Sequence, residues 1–382
     1  MFTGIFLTII YSIFVLHIVT TDIEKSELES RKLAKRPDFA IENFLSGNYS
    51  ERFDNYHSDQ FPMRDKWLEI DAFLHYKIFG RKVFDNVYIS PDGYLITRVE
   101  KGTKKQVETI ANRINKFARD MKKLGINTYT VILPNKSTML EDKFPSYYPS
   151  YGNYNLNQIM KRLDPVTNFI DVRSTLEPHM NEYLFYYTDH HWQPTAAFYA
   201  YQHIMRIINQ NEDLSEEIPS YDDYNWQYEG KYFYGSEARK SIGIHTKKPD
   251  RIIISTPRKE ETYYEMKWNK KSRKGLYVDQ YLEKDDPYTN RYQVYMGGDS
   301  GLITVYNYDK KNGKKILVLK DSYANAIIQF FARHYEEIHI IDLRHYKGIP
   351  IHNYVQKHRI DHVMILNNVN SIYTTPQLTK FD

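Results

Sequence analysis

Between residues 314 and 368 the chain switches its apolar period four times, and this alternation restricts the fold more than any other feature of the sequence. KKILVLK (314–320) is an apolar run of strand length, and SYANAIIQFFARHY (322–335) has helical spacing. IHIIDLR (338–344) is again a strand, IHNYVQKHR (351–359) a helix and HVMILNN (362–368) a strand. Runs that are apolar throughout suit strands buried on both faces. Strands joined through helices over such short connections make βαβ units, so the expectation is α/β: a parallel sheet with helices covering it.

The preceding chain extends this frame. Residues 64–80 repeat apolar side chains at three- and four-residue spacing up to Gly80, which predicts an amphipathic helix. VYISPDGYLI (87–96) places two apolar runs around Pro91-Asp92-Gly93 and predicts a hairpin. A long helix is expected over about 104–124, ending at Gly125, followed by a strand that closes at Pro134. NFIDV (168–172) predicts another strand, and 195–210 a helix after Pro194. Residues 213–300 are rich in Tyr, Lys and Asp with weaker periodicity, and are expected to be an insertion lying over the sheet. Residues 61–382 then form one domain, and 22–60 a charged linker that becomes a packed N-terminal segment of helical character.

Composition excludes several classes. Among 382 residues there is no Cys, which rules out a disulfide scaffold, zinc thiolates, iron–sulfur clusters and a thiol nucleophile. Fifty-two basic residues against 48 acidic ones leave a net charge of +4, too small and too dispersed for nucleic-acid binding. The 35 tyrosines fit either sugar-stacking surfaces or a Tyr-rich core.

Residues 1–21 contain no Asp, Glu, Lys or Arg, and a stretch of about 20 apolar residues can cross a bilayer as a helix. Without a basic n-region or a small-residue cleavage site, an uncleaved anchor fits better than a signal peptide. Lys25, Arg31, Lys32, Lys35 and Arg36 follow the span, and positive flanks ordinarily stay cytoplasmic.

Two stretches carry chemistry. In YYTDHHW (186–192), Asp189, His190 and His191 are consecutive. A carboxylate two residues before an imidazole can reach one ring nitrogen when the backbone turns, fixing the tautomer as a general base requires. In Lys320-Asp321-Ser322, the Ser lies at the junction of a strand and a helix, where open α/β sheets place their sites. Amides at such a junction can also hold an oxyanion. Each side chain alone has an ordinary alternative: Asp189 capping the helix after Pro194, the histidines as packed rings, Ser322 as an N-cap. A single metal bound by Asp189, His190 and His191 is disfavoured, since adjacent residues rarely converge on one ion.

YYTDHHW resembles the signature of the bacterial DHHW proteins, relatives of the AlgX/AlgJ-like alginate O-acetyltransferases in the SGNH-hydrolase superfamily. Further stretches share the pattern between about residues 25 and 370, among them ENFLSGNYSERFDNYHSDQFPMRD (42–65), LPNKSTMLEDKFP (133–145), FYGSEARKSIG (233–243), YMGGDS (295–300), LVLKDSYANA (317–326) and IIDLRHY (340–346). The resemblance implies a flavodoxin-like, three-layer SGNH domain with a parallel sheet and helices on both faces. It would sit outside the cytoplasm, as a single-pass membrane protein or secreted if cleaved, beside a membrane-bound O-acyltransferase that supplies acetyl groups. Large domains translocate regardless of nearby basic residues, so the charged flank does not oppose this.

Carried over by position, Ser322 matches the nucleophile, His191 the general base and Asp189 its orienting carboxylate, with His190 the second choice of base. Lys320 stands where the common Gly-Asp-Ser motif has Gly. Gly297 and Gly298 are candidates to donate an oxyanion N–H or to form a tight turn. Arg344 is a candidate to steer substrate or to pair with Asp342. Asn135 and Lys136, just past the 126–133 strand, are candidates at the sheet edge, with capping and solvent exposure as their ordinary roles. The function implied is acetyl transfer to a surface or secreted polysaccharide, with no metal or organic cofactor. A carbohydrate esterase and a non-catalytic polysaccharide-binding scaffold are the alternatives.

Overall fold

The computed structural model describes residues 2–381 except 27, 30, 213, 244–247, 260–261 and 269–270. Seven strands build the central sheet: β1 (Asn127–Leu133), β2 (Tyr264–Trp268), β3 (Lys271–Lys274), β4 (Leu302–Asn307), β5 (Lys315–Lys320), β6 (Glu337–Ile341) and β7 (His362–Asn368). Their order is β3-β2-β4-β6-β5-β7-β1. The pairs β6–β5, β5–β7 and β7–β1 are parallel, as the C-terminal alternation requires. From β6 outward the pairing reverses: β4 runs antiparallel to β6, β2 to β4 and β3 to β2.

The fold is therefore mixed α/β, and the expectation of a purely parallel sheet is corrected. The reason lies in the connections. β4 and β5 are separated by a short stretch without a crossover helix, and β2 and β3 form a hairpin, which only antiparallel neighbours allow. Residues 213–300 thus do more than lie over the sheet, since they supply its edge strand β3 and that strand's neighbour β2. They also supply both strands of a separate antiparallel pair, Tyr224–Phe233 with Asp250–Pro257. Residues 168–172 form no strand beyond one isolated bridge between Phe169 and Thr130.

Among the helices are α1 (Phe2–Val19), α2 (Ile41–Leu45), α3 (Asn48–Asp59), α4 (Arg64–Lys77), α5 (Lys104–Lys123), α6 (Pro194–Glu212), α7 (Asn325–Phe331) and α8 (Ile351–His358). α5 shows how local sequence sets an element. Thr103 and Gln106 form a reciprocal capping box at its start, and Gly125, at φ +77°, takes the chain out of the helical turn at its end. Its residues 107, 110, 114, 117 and 121 face inward at helical spacing. α1 is long and apolar enough to be a membrane span or a signal sequence, and none of it is buried against the rest of the protein.

Strand alternation divides the interior in two. Ile316 and Val318 of β5 join Met364, Leu366, Tyr129 and Val131 in a core that α6 and α7 cover. Leu317 and Leu319 point to the other face, with Val363, Ile365, α5 and α8. Tyr129, Tyr186, Tyr201, Tyr292, Tyr295, Tyr323 and Tyr335 are all fully buried, so much of the tyrosine excess is core material. Because Leu317 has no exposed surface and sits on the central parallel strand, Leu317→Ala is expected to cost about 3 kcal/mol. The readout is a lower denaturant midpoint with an unchanged m value.

Candidate active site

Two loops meet at the carboxyl end of β5. The first is the turn 186–192 ahead of α6. Asp189 folds back on this turn, so that its Oδ1 accepts from the backbone N–H of His191 at 3.0 Å and from His191 Nδ1 at 2.6 Å. Its Oδ2 accepts from the Ser236 N–H at 2.8 Å. Burial by itself would raise the Asp189 carboxyl, but the two neighbouring imidazoles and these donors hold it well below the usual carboxylate range. A charged carboxylate at Nδ1 fixes the proton there, which leaves His191 Nε2 as an acceptor. Ser322 Oγ lies 3.0 Å from that nitrogen. Asp189, His191 and Ser322 form one continuous hydrogen-bonded chain.

The second loop is the turn after β5. Ser322 opens a single 3-10 turn, Ser322–Ala324, rather than an α-helix, and α7 starts only at Asn325. Asp321 caps this turn through Tyr323 N–H at 2.9 Å, so the capping role falls to Asp321 and leaves Ser322 Oγ free. The other Asp321 oxygen accepts from Asn368 N–H and Nδ2, each at 2.9 Å, at the end of neighbouring β7. Burial raises the Asp321 carboxyl against these donors. Among the described residues nothing accepts from the Ser322 amide, as is usual for the first N–H groups of a helical turn.

Aromatic contacts join the two loops. Trp192 Nε1 and Tyr292 OH both donate to the Tyr323 carbonyl, at 2.9 and 3.0 Å. The Tyr292 ring stacks on His191 with centroids 3.7 Å apart and planes 7° from parallel. His191 is 3% exposed and Ser322 half-buried, so the relay runs from the interior to accessible surface.

The remaining candidates divide. His190 reaches Ser236 Oγ at 2.6 Å, and no hydrogen bond joins it to Ser322. Gly297 and Gly298, at φ +75° and +90°, form a tight turn, with Gly298 N–H donating to Tyr295 O. Among the described residues no hydrogen bond links either to Ser322. That turn presents Asp299, which accepts from Lys320 Nζ at 2.8 Å and Arg344 Nη2 at 2.8 Å. Arg344 also pairs with Asp342 at 2.5 Å, so two carboxylates hold its charge in place. Asn135 acts as an N-cap, its Oδ1 accepting from Thr138 N–H.

Lys136 corrects the expectation of solvent exposure, being only 1% exposed. Its ammonium donates to the carbonyls of Tyr186 (2.9 Å) and Asp189 (2.7 Å) and pairs with buried Glu237. Glu237 in turn accepts from Thr97 N–H at 2.6 Å. The pair clamps the turn that carries His191 to the strand Leu95–Thr97. Asp250 holds the same turn from another side, accepting from the Tyr187 and Thr188 amides at 2.7 and 2.8 Å.

Glu237, Asp250, Ser236, Gly235 and Tyr292 were not legible as site residues. The one available signal was the stretch FYGSEARKSIG, whose Gly-Ser-Glu reaches under Asp189. A Cβ at Gly235 would lie 2.2 Å from Asp189 Cβ and 2.5 Å from Oδ2, so any side chain there displaces the carboxylate.

Among the described residues, two His/Asp groups have the proximity needed for a metal: Asp189-His190-His191 and Asp299-Asp342-His345. In the first, both Asp189 oxygens and His191 Nδ1 are engaged with each other and with Ser236. In the second, Lys320 and Arg344 already neutralise the carboxylates.

The protein is mixed α/β, with a hydroxyl–imidazole–carboxylate hydrogen-bonded chain at the end of a central strand. The chain belongs to the DHHW protein family, whose model matches residues 114–341, more than half its length and inclusive of Asp189-His190-His191-Trp192. The fold is similar to that of Bacillus cereus PatB1 (TM-score 0.65, 23% identity, covering 78% of this chain and 99% of that one), also solved with a sulfonyl adduct. It is similar as well to a DHHW family protein from Eubacterium siraeum (TM-score 0.63, 22% identity, 78% and 95% covered). The O-acetyltransferase domain of Pseudomonas putida AlgJ is more distant, at a TM-score of 0.46 with 14% identity over 78% of this chain and 95% of that domain. At these identities the fold is what is shared. No curated protein sequence matches the chain.

Removing one partner of a buried ion pair strands the other charge, which typically costs 3–5 kcal/mol. Lys136→Met is therefore expected to destabilise the protein by about 3 kcal/mol or more. Adding Glu237→Gln to Lys136→Met is expected to recover part of that loss in a denaturant-midpoint cycle.

Proposed function

We propose that this chain is an O-acetyltransferase that moves acetyl groups onto hydroxyls of a surface or secreted polysaccharide through an acetyl-Ser322 intermediate. The observation that carries this reading is the unbroken relay from Asp189 through His191 to half-exposed Ser322, at 2.6 and 3.0 Å. The acyl group and the glycan acceptor follow from the resemblance to polysaccharide O-acetyltransferases. That resemblance also supports placing residues 61–382 as one catalytic domain outside the cytoplasm, with α1 as its membrane tether. A membrane-bound O-acyltransferase would then be the acetyl supplier.

In the first half-reaction His191 Nε2 takes the Ser322 hydroxyl proton as Oγ bonds to the acetyl carbonyl carbon. The Ser322 amide is available to the developing oxyanion. Collapse breaks the bond to the donor oxygen, which receives the proton from Nε2. In the second half, Nε2 takes a proton from a sugar hydroxyl, whose oxygen attacks the acetyl carbon. The Ser322–acetyl bond breaks, and Oγ regains the proton. Asp189 keeps the imidazole in the required tautomer and stabilises its charged form throughout.

The full-length chain, incubated with an activated acetyl ester and a soluble polysaccharide, is expected to gain one acetyl on the peptide containing Ser322 and to produce acetylated glycan. Ser322→Ala should lose both products. His191→Asn should slow transfer by about 10²–10⁴-fold, the span of a general base, while His190→Asn retains most activity. Acetate release without glycan product would make the protein an esterase. An unlabelled wild-type Ser322 would leave a binding scaffold.

A further inference from the structure

The N-terminal helices expose an apolar surface that the catalytic reading does not use. His17, in the last turn of α1, lies against α3, with its ring 4.6 Å from His57 and 6.1 Å from Tyr56. From Tyr56 an aromatic ladder runs along one face of α3, to Phe53 at 6.1 Å and on to Tyr49 at 5.9 Å. Tyr49 then contacts Phe39 at 5.3 Å and Phe44 at 6.4 Å. The far end of the ladder stands in the open: Phe39 is 64% exposed, Ile41 68%, Phe44 53% and Leu45 80%. A contiguous apolar surface of this kind on a soluble body marks an interaction site.

The covering surface is identified by what this face is fixed to. Tyr56 OH donates to Asp22 Oδ1 at 2.9 Å, just past α1. Gln60 grips the next residue at both ends, accepting from Ile23 N–H at 2.8 Å and donating to Ile23 O at 3.0 Å. The same side chain donates to Ala34 O. α3 is thereby pinned to the exit of an 18-residue apolar helix that touches it through His17 and has no fully buried residue. Aromatic side chains at that level match the chemistry of the headgroup boundary. Between residues 22 and 59 there are nine acidic and six basic residues, a net of −3, so charge attraction to anionic lipid is not what would hold the face.

We propose that the surface formed by Phe39, Ile41, Phe44, Leu45 and Phe53 lies in the headgroup–acyl boundary of the bilayer that α1 crosses. This second contact beside the span stops the body from rotating about a single helix and sets the height of the Ser322 site above the membrane. The proposal rests on α1 being retained as a span and is independent of acetyl transfer.

The chain contains no Cys, so one introduced thiol is a unique label site. Phe44→Cys, Leu45→Cys and, as a distant exposed reference, Lys311→Cys would each carry an environment-sensitive fluorophore on the full chain in phosphatidylcholine nanodiscs. Positions 44 and 45 are expected to be quenched several-fold more than position 311 by a lipid bearing a shallow nitroxide, and less by an aqueous quencher. Adding anionic lipid should leave that difference unchanged. Equal aqueous access at all three positions would overturn the proposal. So would oxidative disulfide dimers through position 44 or 45, which would show a second copy covering the face. Loss of α1 from the intact mass would overturn it by removing the span, whatever the outcome of Ser322 acetylation.

Discussion

A carboxylate with almost no exposed surface stays ionised only where donors replace the water it has lost, and the site depends on Asp189 meeting that condition. Three N–H groups serve it: the amide and ring nitrogen of His191, and the amide of Ser236. Their geometry demands a tight turn at 189–191 and a backbone that approaches from the opposite side without a side chain, which Gly235 allows. The same bonds aim His191 Nε2 outward at Ser322. Loss of the charge on Asp189 would free the ring to take the other tautomer, with its proton facing the hydroxyl.

The turn cannot hold that shape alone, because bending it aims several carbonyls inward. Buried Lys136 donates to those of Tyr186 and Asp189 and, at longer range, Tyr187. A buried ammonium is costly unless paired, and Glu237 supplies the pair. Glu237 and Gly235 lie on one short segment, so neutralising Lys136 and closing on Asp189 are a single act of packing. Asp250 receives the Tyr187 and Thr188 amides left on the outer side of the turn.

The C-terminal strands and helices were legible because their information is local: an apolar run or a helical period over a few residues records burial on two faces or one. Strand direction is not local. β2 and β3 read in sequence as a Tyr- and Lys-rich stretch because they close one end of the sheet, with only Met266 of β2 fully buried and the edge strand β3 mostly exposed. Polar edges of this kind also guard against edge-to-edge pairing. The site divides in the same way. Asp189, His191 and Ser322 could be found since the pattern is compact and the strand–helix junction marks the serine. Their supports come from 47 residues away for Ser236 and further for Tyr292, and neither a lone Glu nor a lone Tyr carries a sign of its spatial neighbour. Lys136 shows the limit most clearly, since a lysine after a strand reads as solvated until its buried partner is known.

The departure of Lys320 from the usual glycine has a structural consequence of its own. Its side chain is fully buried beside the Ser322 turn, and a glycine would leave that volume empty and Asp299 without this partner. The ammonium bonds Asp299 at 2.8 Å and Asn325 Oδ1 at 2.7 Å, the latter at the first residue of α7. Asp299 continues to Arg344 at the end of β6, and Arg344 to Asp342. The charges alternate along this line, so each buried or half-buried group meets its opposite and none is left uncompensated. The 3-10 turn at Ser322 is consequently fixed at three places: by Asn368 through Asp321, by Trp192 and Tyr292 through the Tyr323 carbonyl, and by Lys320 through Asn325. A hydroxyl held in this way keeps its distance to His191 without needing an α-helical start behind it. The short turn also leaves the Ser322 amide without a hydrogen-bond acceptor among the described residues.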